Sequence, residues 1–268
     1  MSGNTNLIKD LRNKTGAGFL DCKNALDAND NNLEKAIEFL RKKGLAKASK
    51  KSSREANEGA VSIFSNDKLI VLLKVNSETD FAAKSETFLN FLDELGSIAL
   101  STNNINLSKK EFLNLSYKEN SVSEYFNNMI AKIGENLILS DLVVMNNKDA
   151  KHEYYVHNSY KNNIGKIISL IKYQSNEEND EVRNFSKNLC MHIAAMKPES
   201  IDIADLDNDT IDNEKKIQKE LILSSGKPEN IVDKILEGKM KKFYSEITLM
   251  NQKYILDQDK DVKDLILE

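Results

Sequence analysis

The chain has 268 residues, enough for one large domain or a few smaller ones around a real hydrophobic core. Apolar residues make up 40% and charged residues 30%, with only two prolines and ten glycines, which argues against long disordered linkers and favours a helix-rich globular protein. The net charge of −4 gives no whole-chain nucleic-acid signal, although residues 1–54 carry 12 Lys/Arg against 6 Asp/Glu, a local excess of +6.

From Asn6 the periodicity is helical. Leu7, Ile8 and Leu11 space a first helix that should stop at "TGAG", where two glycines in three residues break it. Asp21 to Ala28 reads as a second helix with Cys22, Ala25 and Leu26 on one face. "DNN" at 30–32 predicts a turn and cap, Asn31 with Glu34 fitting the capping logic. Leu33, Ala36, Ile37 and Leu40 line a third helix, Gly44 follows it, and a basic segment, 45–58, leads away. Arg41, Lys42, Lys43, Lys47, Lys50, Lys51 and Arg54 form either a solvated helix face running into a linker or a contact for RNA or an acidic partner.

From Gly59 the period changes to that of strands. "AVSIFS" and "KLIVLLKV" flank the turn signal "NDK", and the second run is apolar on both faces, so helices should cover one of them. Helical patterns resume at Ser85, with Phe88, Leu89, Leu92 and Leu95, and again at 121–138. A second hairpin is expected over 152–173, then an acidic loop at 177–181 and a helix from near Val182. "NFLDELGSIA" (90–99) resembles "NFSKNLCMHIA" (184–194) with one insertion, which suggests two related ββα-type subdomains. Thr210 to Ser225 reads as a helix, "SSGKP" as a turn with Gly226 left-handed and Pro228 opening the return helix to Tyr244, and Ile217, Leu221, Ile231, Ile235 and Met240 as the seam. The expected layout is α+β: a three-helix module with its basic linker (1–54), a core subdomain (55–140), and a second core subdomain (141–268). The second subdomain includes an antiparallel helical hairpin placed at about 199–228, whose return arm runs on.

Enzymatic constellations are scarce. No GxxxxGK[ST] or GxGxxG is present, and "TGAG" joins two helices without a preceding strand. Cys22 and Cys190 lie far apart without CxxC, His152, His157 and His192 lack ligand spacing, and no apolar run approaches the length of a membrane span. The expectation is a cytoplasmic protein with no cofactor, no metal and no membrane or specific nucleic-acid partner. His192 reads as a packed core residue, and His157, after "YYV" and before a polar loop, as an exposed contact. Phe19 and Leu20, directly after the double glycine, either seal the bundle or form a protein-binding surface. At the corner "NSETDFAAKS", Ser77 with Asp80 can cap a helix and Phe81 can plug the core, or the Asp-Phe pair works on another molecule.

Taken together, "LRNKTGAGFLDCKNAL" (11–26) and "KVNSETDFAAK" (74–84) resemble the two hallmark segments of bacterial elongation factor Ts, in order and spacing. The similarity continues through "MIAKIGENL" (129–137), "MHIAAMKPE" (191–199), "SSGKPENIVDKILEGKMKKFY" (224–244) and "YILDQDKDVKDLI" (254–266), so it covers nearly the whole chain. What the resemblance implies is a guanine-nucleotide exchange factor for the GTPase elongation factor Tu, acting without covalent chemistry. Its N-terminal module would be similar to a ubiquitin-associated domain. The resemblance puts the segment that dislodges the partner's Mg²⁺ at Thr79, Asp80, Phe81 and Ala82, the N-terminal contact at Leu11, Arg12, Gly16, Phe19 and Leu20, and a further contact at His157. Lys74 and Ala82 stand where the family usually has Glu and Val, the loop after His157 reads as longer than usual, and the sequence closes at "LILE", where relatives commonly continue into another strand and helix. Rival readings are an RNA- or ribosome-bound adaptor using 41–54, and a scaffold that forms a homodimer through the helical hairpin.

Overall fold

The structure, a computed structural model, describes residues 2–268 apart from Glu119, Asp149, Glu177, Glu178 and Lys227, and side chains from Thr5 onward apart from that of Glu229. Part of the acidic loop expected at 177–181, and the lysine of "SSGKP", therefore lie outside the described residues. Helices and strands are mixed, as an α+β chain requires, and the chain divides into two compact units. One holds the chain up to His152 with Val156–Ile168 and Lys172–Gln174; the other holds Glu153–Tyr155, Ser169–Ile171 and Ser175–Glu268.

In the first unit, α1 (Ser2–Thr15), α2 (Phe19–Asp27) and α3 (Leu33–Lys51) close around Ile8, Leu11, Cys22, Ala25, Leu26, Ala36 and Leu40. The double glycine does end α1: Gly16 turns left-handed at φ 67° and its N–H returns to the Arg12 carbonyl at 2.7 Å. The cap of α3 is Asn32, which accepts from the Lys35 N–H at 3.0 Å, and not Asn31, whose φ of 59° puts it in the turn itself.

Strands β1 (Glu58–Ser65) and β2 (Leu69–Ser77) form the expected hairpin, with Asn66 Oδ1 accepting from the Lys68 and Leu69 N–H groups in the turn. The chain then runs through α4 (Asp80–Lys84), α5 (Glu86–Ser101), α6 (Lys109–Asn114), the short pair β3 (Ser116–Tyr117) and β4 (Asn120–Ser121), and α7 (Val122–Ile133). The helical pattern expected to reach residue 138 stops at Ile133, because Gly134 adopts φ 88° and Leu137 opens β5 (Leu137–Asn146). β5 pairs antiparallel with β2 along its length, and β1 pairs on its other edge with β7 (Ile164–Tyr173), whose hairpin partner is β6 (Lys151–Lys161). The sheet order is β5-β2-β1-β7-β6, so β2 is interior, and its Leu69, Ile70, Val71, Leu73 and Val75 are buried. Phe88, Phe91, Leu92 and Leu95 of α5 share one core with the sheet and with Phe126, Met129 and Ile130 of α7, α5 lying on β1 and β2 and α7 against β5. Helix α3 continues through Gly44 to Lys51, so 45–51 is not a linker: Ala36, Leu40, Gly44 and Ala48 are buried at four-residue intervals, and α3 packs along α7.

The second unit contains α8 (Asp180–Met196), capped by Asn179, then α9 (Asn208–Ser224), α10 (Glu229–Ile247), the pair β8 (Lys253–Tyr254) and β9 (Asp257–Asp261), and α11 (Val262–Leu267). Leu189, Leu249, Tyr254 and Val262 form its core with Ile171, Phe185, Ile193 and Leu265. Helices α9 and α10 pack on one another, but the seam differs from the expected one. Of the expected residues Met240 is buried and Ile235 half-buried, joined by Ile222 and Val232, whereas Ile217, Leu221 and Ile231 face solvent. The inward face of α9 instead includes the polar pair Gln218–Glu214, bonded at 2.7 Å, a phase that hydrophobicity alone does not reveal. His192 is fully buried as expected. Its Nδ1 accepts from the Ile255 N–H at 3.2 Å, which leaves Nε2–H to donate to Gln252 Oε1 at 2.9 Å, and the ring stacks on Tyr254.

Candidate functional site

The corner after β2 is built by side chains that hold backbone. Ser77, fully buried, donates from Oγ to the Thr79 carbonyl at 2.9 Å. The cap of α4 is Thr79, not Ser77: its Oγ1 accepts from the Ala82 N–H at 3.2 Å. Ser85 then ends α4 and caps α5 through the Phe88 N–H at 3.2 Å. Within α4, Ala82 and Ala83 point into the core at 8% and 0% exposure, which turns Phe81 outward. Phe81 is 83% exposed, so it does not plug the core. Asp80 pairs with Lys84 at 2.7 Å, one helical turn on, and that bond holds its carboxyl below the ordinary carboxylate value. Lys84 in turn lies over the Tyr160 ring, and Lys166 pairs with Glu58 close by.

A second loop grips this corner. Glu135 accepts from the Thr79 N–H at 2.9 Å and from Thr79 Oγ1 at 2.6 Å. In return, the Asn136 N–H donates to Glu78 at 2.7 Å, and that bond is the main reason the Glu78 carboxyl is held below its usual value. Asn136 Nδ2 reaches the Arg54 carbonyl at 2.8 Å, and Arg54 pairs with Glu78 at 3.4 Å. Residues 78–79 and 135–136 thus exchange carboxylate-to-amide bonds reciprocally. Sequence reasoning missed Glu78, Glu135 and Asn136, and placed Arg54 only in the basic run. The available signal was a carboxylate and an amide placed directly after a helix-ending glycine.

The N-terminal loop has a similar division of labour. Leu11 is fully buried, so it anchors α1 from inside, while Arg12 and Gly16 are exposed. Thr15 ties the turn with an Oγ1 bond to the Leu11 carbonyl at 2.6 Å. Phe19 and Leu20, in the first turn of α2, are 50% and 70% exposed and do not seal the bundle. The Gly16 turn faces Lys132 at the end of α7, and Lys51 of α3 donates to the Gly134 carbonyl. The segment 132–136 therefore meets the N-terminal module on one side and the Phe81 corner on the other.

The basic cluster is spent largely on internal contacts. Arg41 pairs with Glu124, Lys42 with Glu38, Lys43 and Lys47 with Asp21, Lys51 with the Gly134 carbonyl, and Arg54 with Glu78. The Lys43 bond leads the causes that hold Asp21 below its ordinary value. His157 is exposed, but no polar loop follows it: β6 continues to Lys161, with Asn158 at φ 48° kinking the strand. Among the described residues no cluster of three His, Cys, Asp or Glu is placed to hold a metal ion, and no helix is long and apolar enough to cross a membrane.

Comparison with known proteins adds the family. The family profile described as Elongation factor TS matches residues 78–268. Elongation factor Ts of Rickettsia typhi is 38% identical over 260 residues, spanning 97% of this chain and 83% of the relative. That of Rhodospirillum centenum is 36% identical over 97% of the chain and 84% of the relative, and that of Ehrlichia ruminantium 36% over 99% and 92%. With similarity on this scale across both hallmark segments, the chain belongs to the elongation factor Ts family of translation elongation factors.

Proposed function

We propose that the protein is the guanine-nucleotide exchange factor for elongation factor Tu, binding its GDP form and speeding GDP release without making or breaking a covalent bond. The observation that carries this reading is Phe81: a large aromatic, 83% exposed, on a five-residue helix anchored by buried alanines and clamped at its cap, Thr79. A side chain held in water at that cost in hydration is suited to insertion between elements of a partner, where burial contributes about 1.5–3 kcal/mol.

Residue roles follow from placement. Phe81 wedges, and Asp80 brings negative charge towards the groups that position the partner's Mg²⁺, displacing the ion that helps hold GDP. Thr79 and Ala82 hold that tip in place, one as cap and the other by packing. Phe19 and Leu20, with Arg12 and Gly16 around them, supply the docking contact of the N-terminal module, and Leu11 shapes it from beneath. His157 offers a further exposed contact on β6. By thermodynamic reciprocity, a factor that weakens nucleotide binding is itself released when nucleotide binds. The internal pairing of Arg41, Lys43, Lys47, Lys51 and Arg54 disfavours the RNA adaptor.

The test is release of fluorescent GDP from elongation factor Tu in the presence of excess unlabelled nucleotide. Acceleration by the chain is expected, and an unchanged rate would sink the reading.

A further inference from the structure

The tip that the proposed function relies on is not held by its own helix. A helix of five residues has too few hydrogen bonds to persist by itself. What fixes it is Thr79, and Thr79 is fixed in turn by a carboxylate 56 residues away, which takes both of its donors, the N–H at 2.9 Å and Oγ1–H at 2.6 Å. Because Oγ1 gives its proton to Glu135, its lone pairs are left aimed at the Ala82 N–H, so the same contact orients the cap. Charge-assisted bonds of this kind are the stronger class, and two on one carboxylate fix direction as well as distance.

Glu135 itself is fixed from behind. Gly134 ends α7 left-handed and presents its carbonyl to Lys51, while the next peptide, at Asn136, is held by Glu78 and Arg54. The Lys132 side chain lies against the Gly16 turn that carries Phe19 and Leu20. Within one compact unit, five consecutive residues thus touch both surfaces assigned to the partner.

We infer that Glu135 is a positioning residue for nucleotide exchange: it presets Thr79, and through the cap of α4 the direction of Asp80 and Phe81, without touching the partner's nucleotide site. The segment 132–136 is the joint that keeps the Phe81 tip in register with the N-terminal docking loop. This rests on the exchange reading above. The consequence is a particular kinetic pattern. Docking through Phe19 and Leu20 survives the loss of Glu135, whereas the step after docking, in which the tip enters, slows.

The experiment is stopped-flow release of fluorescent GDP from elongation factor Tu, titrated with the unmodified chain, its Glu135→Ala and Glu135→Gln variants, Phe81→Ala, and the double variant Glu135→Ala/Phe81→Ala. For Glu135→Ala the saturating release rate is expected to fall about tenfold, with the half-saturating concentration moving less than about threefold. In the Phe81→Ala background the same change is expected to have little further effect, because both act through one tip. If Glu135→Ala melts below the assay temperature, Glu135→Gln decides: it keeps the shape and one acceptor and is expected to lower the saturating rate in the same direction. A saturating rate equal to that of the unmodified chain in the folded variant, or an equal loss with and without Phe81, overturns the assignment while exchange itself stands. An unmodified chain that leaves GDP release unchanged overturns the exchange reading and this assignment with it.

Discussion

The Phe81 corner and the His192 pocket solve opposite problems with the same kinds of bond. At the corner, polar side chains hold backbone so that an aromatic stays in water: Glu135, Thr79 and Ser77 fix the turn, and Phe81 is left 83% exposed. In the second unit a polar ring is taken out of water instead, and both of its nitrogens are satisfied, by Gln252 and by the Ile255 N–H, while Tyr254 stacks on its face. The first arrangement sacrifices hydrophobic burial to keep a side chain available. The second gives up hydration to fix how the β8–β9 pair meets α8. Stability should therefore be concentrated at the second site and partner chemistry at the first.

The largest effect expected from breaking that contrast is at His192. Substituting His192→Leu leaves the Gln252 carbonyl and the Ile255 N–H without their partner in a buried setting, and should lower unfolding free energy by about 3 kcal/mol. Denaturant unfolding measures it, and a change near zero would mean the pocket repacks freely. Next comes Phe81→Ala. It should slow saturated GDP release from elongation factor Tu by about ten- to a hundredfold, the equivalent of losing about 1.5–3 kcal/mol of aromatic burial, with stability shifted by less than about 0.5 kcal/mol. An unfolded variant would return Phe81 to the core role that its exposure excludes.

How far these two places were legible in the sequence differs for physical reasons. The three N-terminal helices, the β1–β2 hairpin and the core role of His192 follow from local periodicity and turn chemistry, which act over a few residues. The corner was ambiguous because Ser77, Thr79 and Asp80 are all competent caps, and only the direction of Ala82 and Ala83 decides that Phe81 faces out. Glu135 is harder to read for a stronger reason: its partner is 56 residues away, and the carboxylate and amide after Gly134 become a signal only once the helix is known to end there. The α9 seam escapes periodicity because Glu214 and Gln218 are half-buried while Ile217 and Leu221 face out, against the usual preference. In the basic run 41–54, Gly44 suggests a stop and hence a linker, yet α3 runs on to Lys51. A glycine in a helix costs only about 1 kcal/mol, and packing along α7 outweighs it.

The two surfaces of the first unit can be separated by a backbone change. Gly16 sits at φ 67°, with open space around its missing Cβ apart from Lys132 at 3.9 Å, so Gly16→Ala is opposed by conformation and not by crowding. It should cost about 1–2 kcal/mol of the stability of the N-terminal module, and any relaxation re-aims Phe19 and Leu20. Thermal melting reads the first effect. The second should appear as a raised half-saturating concentration in the exchange titration with the saturating rate retained, the reverse of the pattern expected at Phe81. A fall in the saturating rate alone would instead mean that the docking loop and the tip do not divide the work.

The smallest effect tests the buried side of the comparison by pH. Burial lowers the His192 pKa from its ordinary 6.5, with the Gln252 bond opposing the shift only in part. Well above pH 6.5 the ring is neutral in both folded and unfolded chains, and its contribution is fully present. As pH falls below 6.5 the unfolded chain takes up the proton first, so ν_U exceeds ν_N and stability drops with falling pH until the folded-state pKa is passed. At pH 6 the loss from this one group is bounded at about 1 kcal/mol, whatever the folded value. The carboxylates held low, Asp21 and Glu78 among them, also lose stability on acidification, but in the carboxylate range further down. The measurement is therefore the difference between the unmodified chain and His192→Gln in urea midpoints between about pH 7.5 and about pH 5.5, a window that spans the ordinary histidine value and stays about one unit above the carboxylates. A narrowing gap towards low pH is expected, since only the histidine chain has a proton to gain on unfolding. A gap that stays constant would mean the ring is protonated in place, with Gln252 and the Ile255 amide rearranged to receive it.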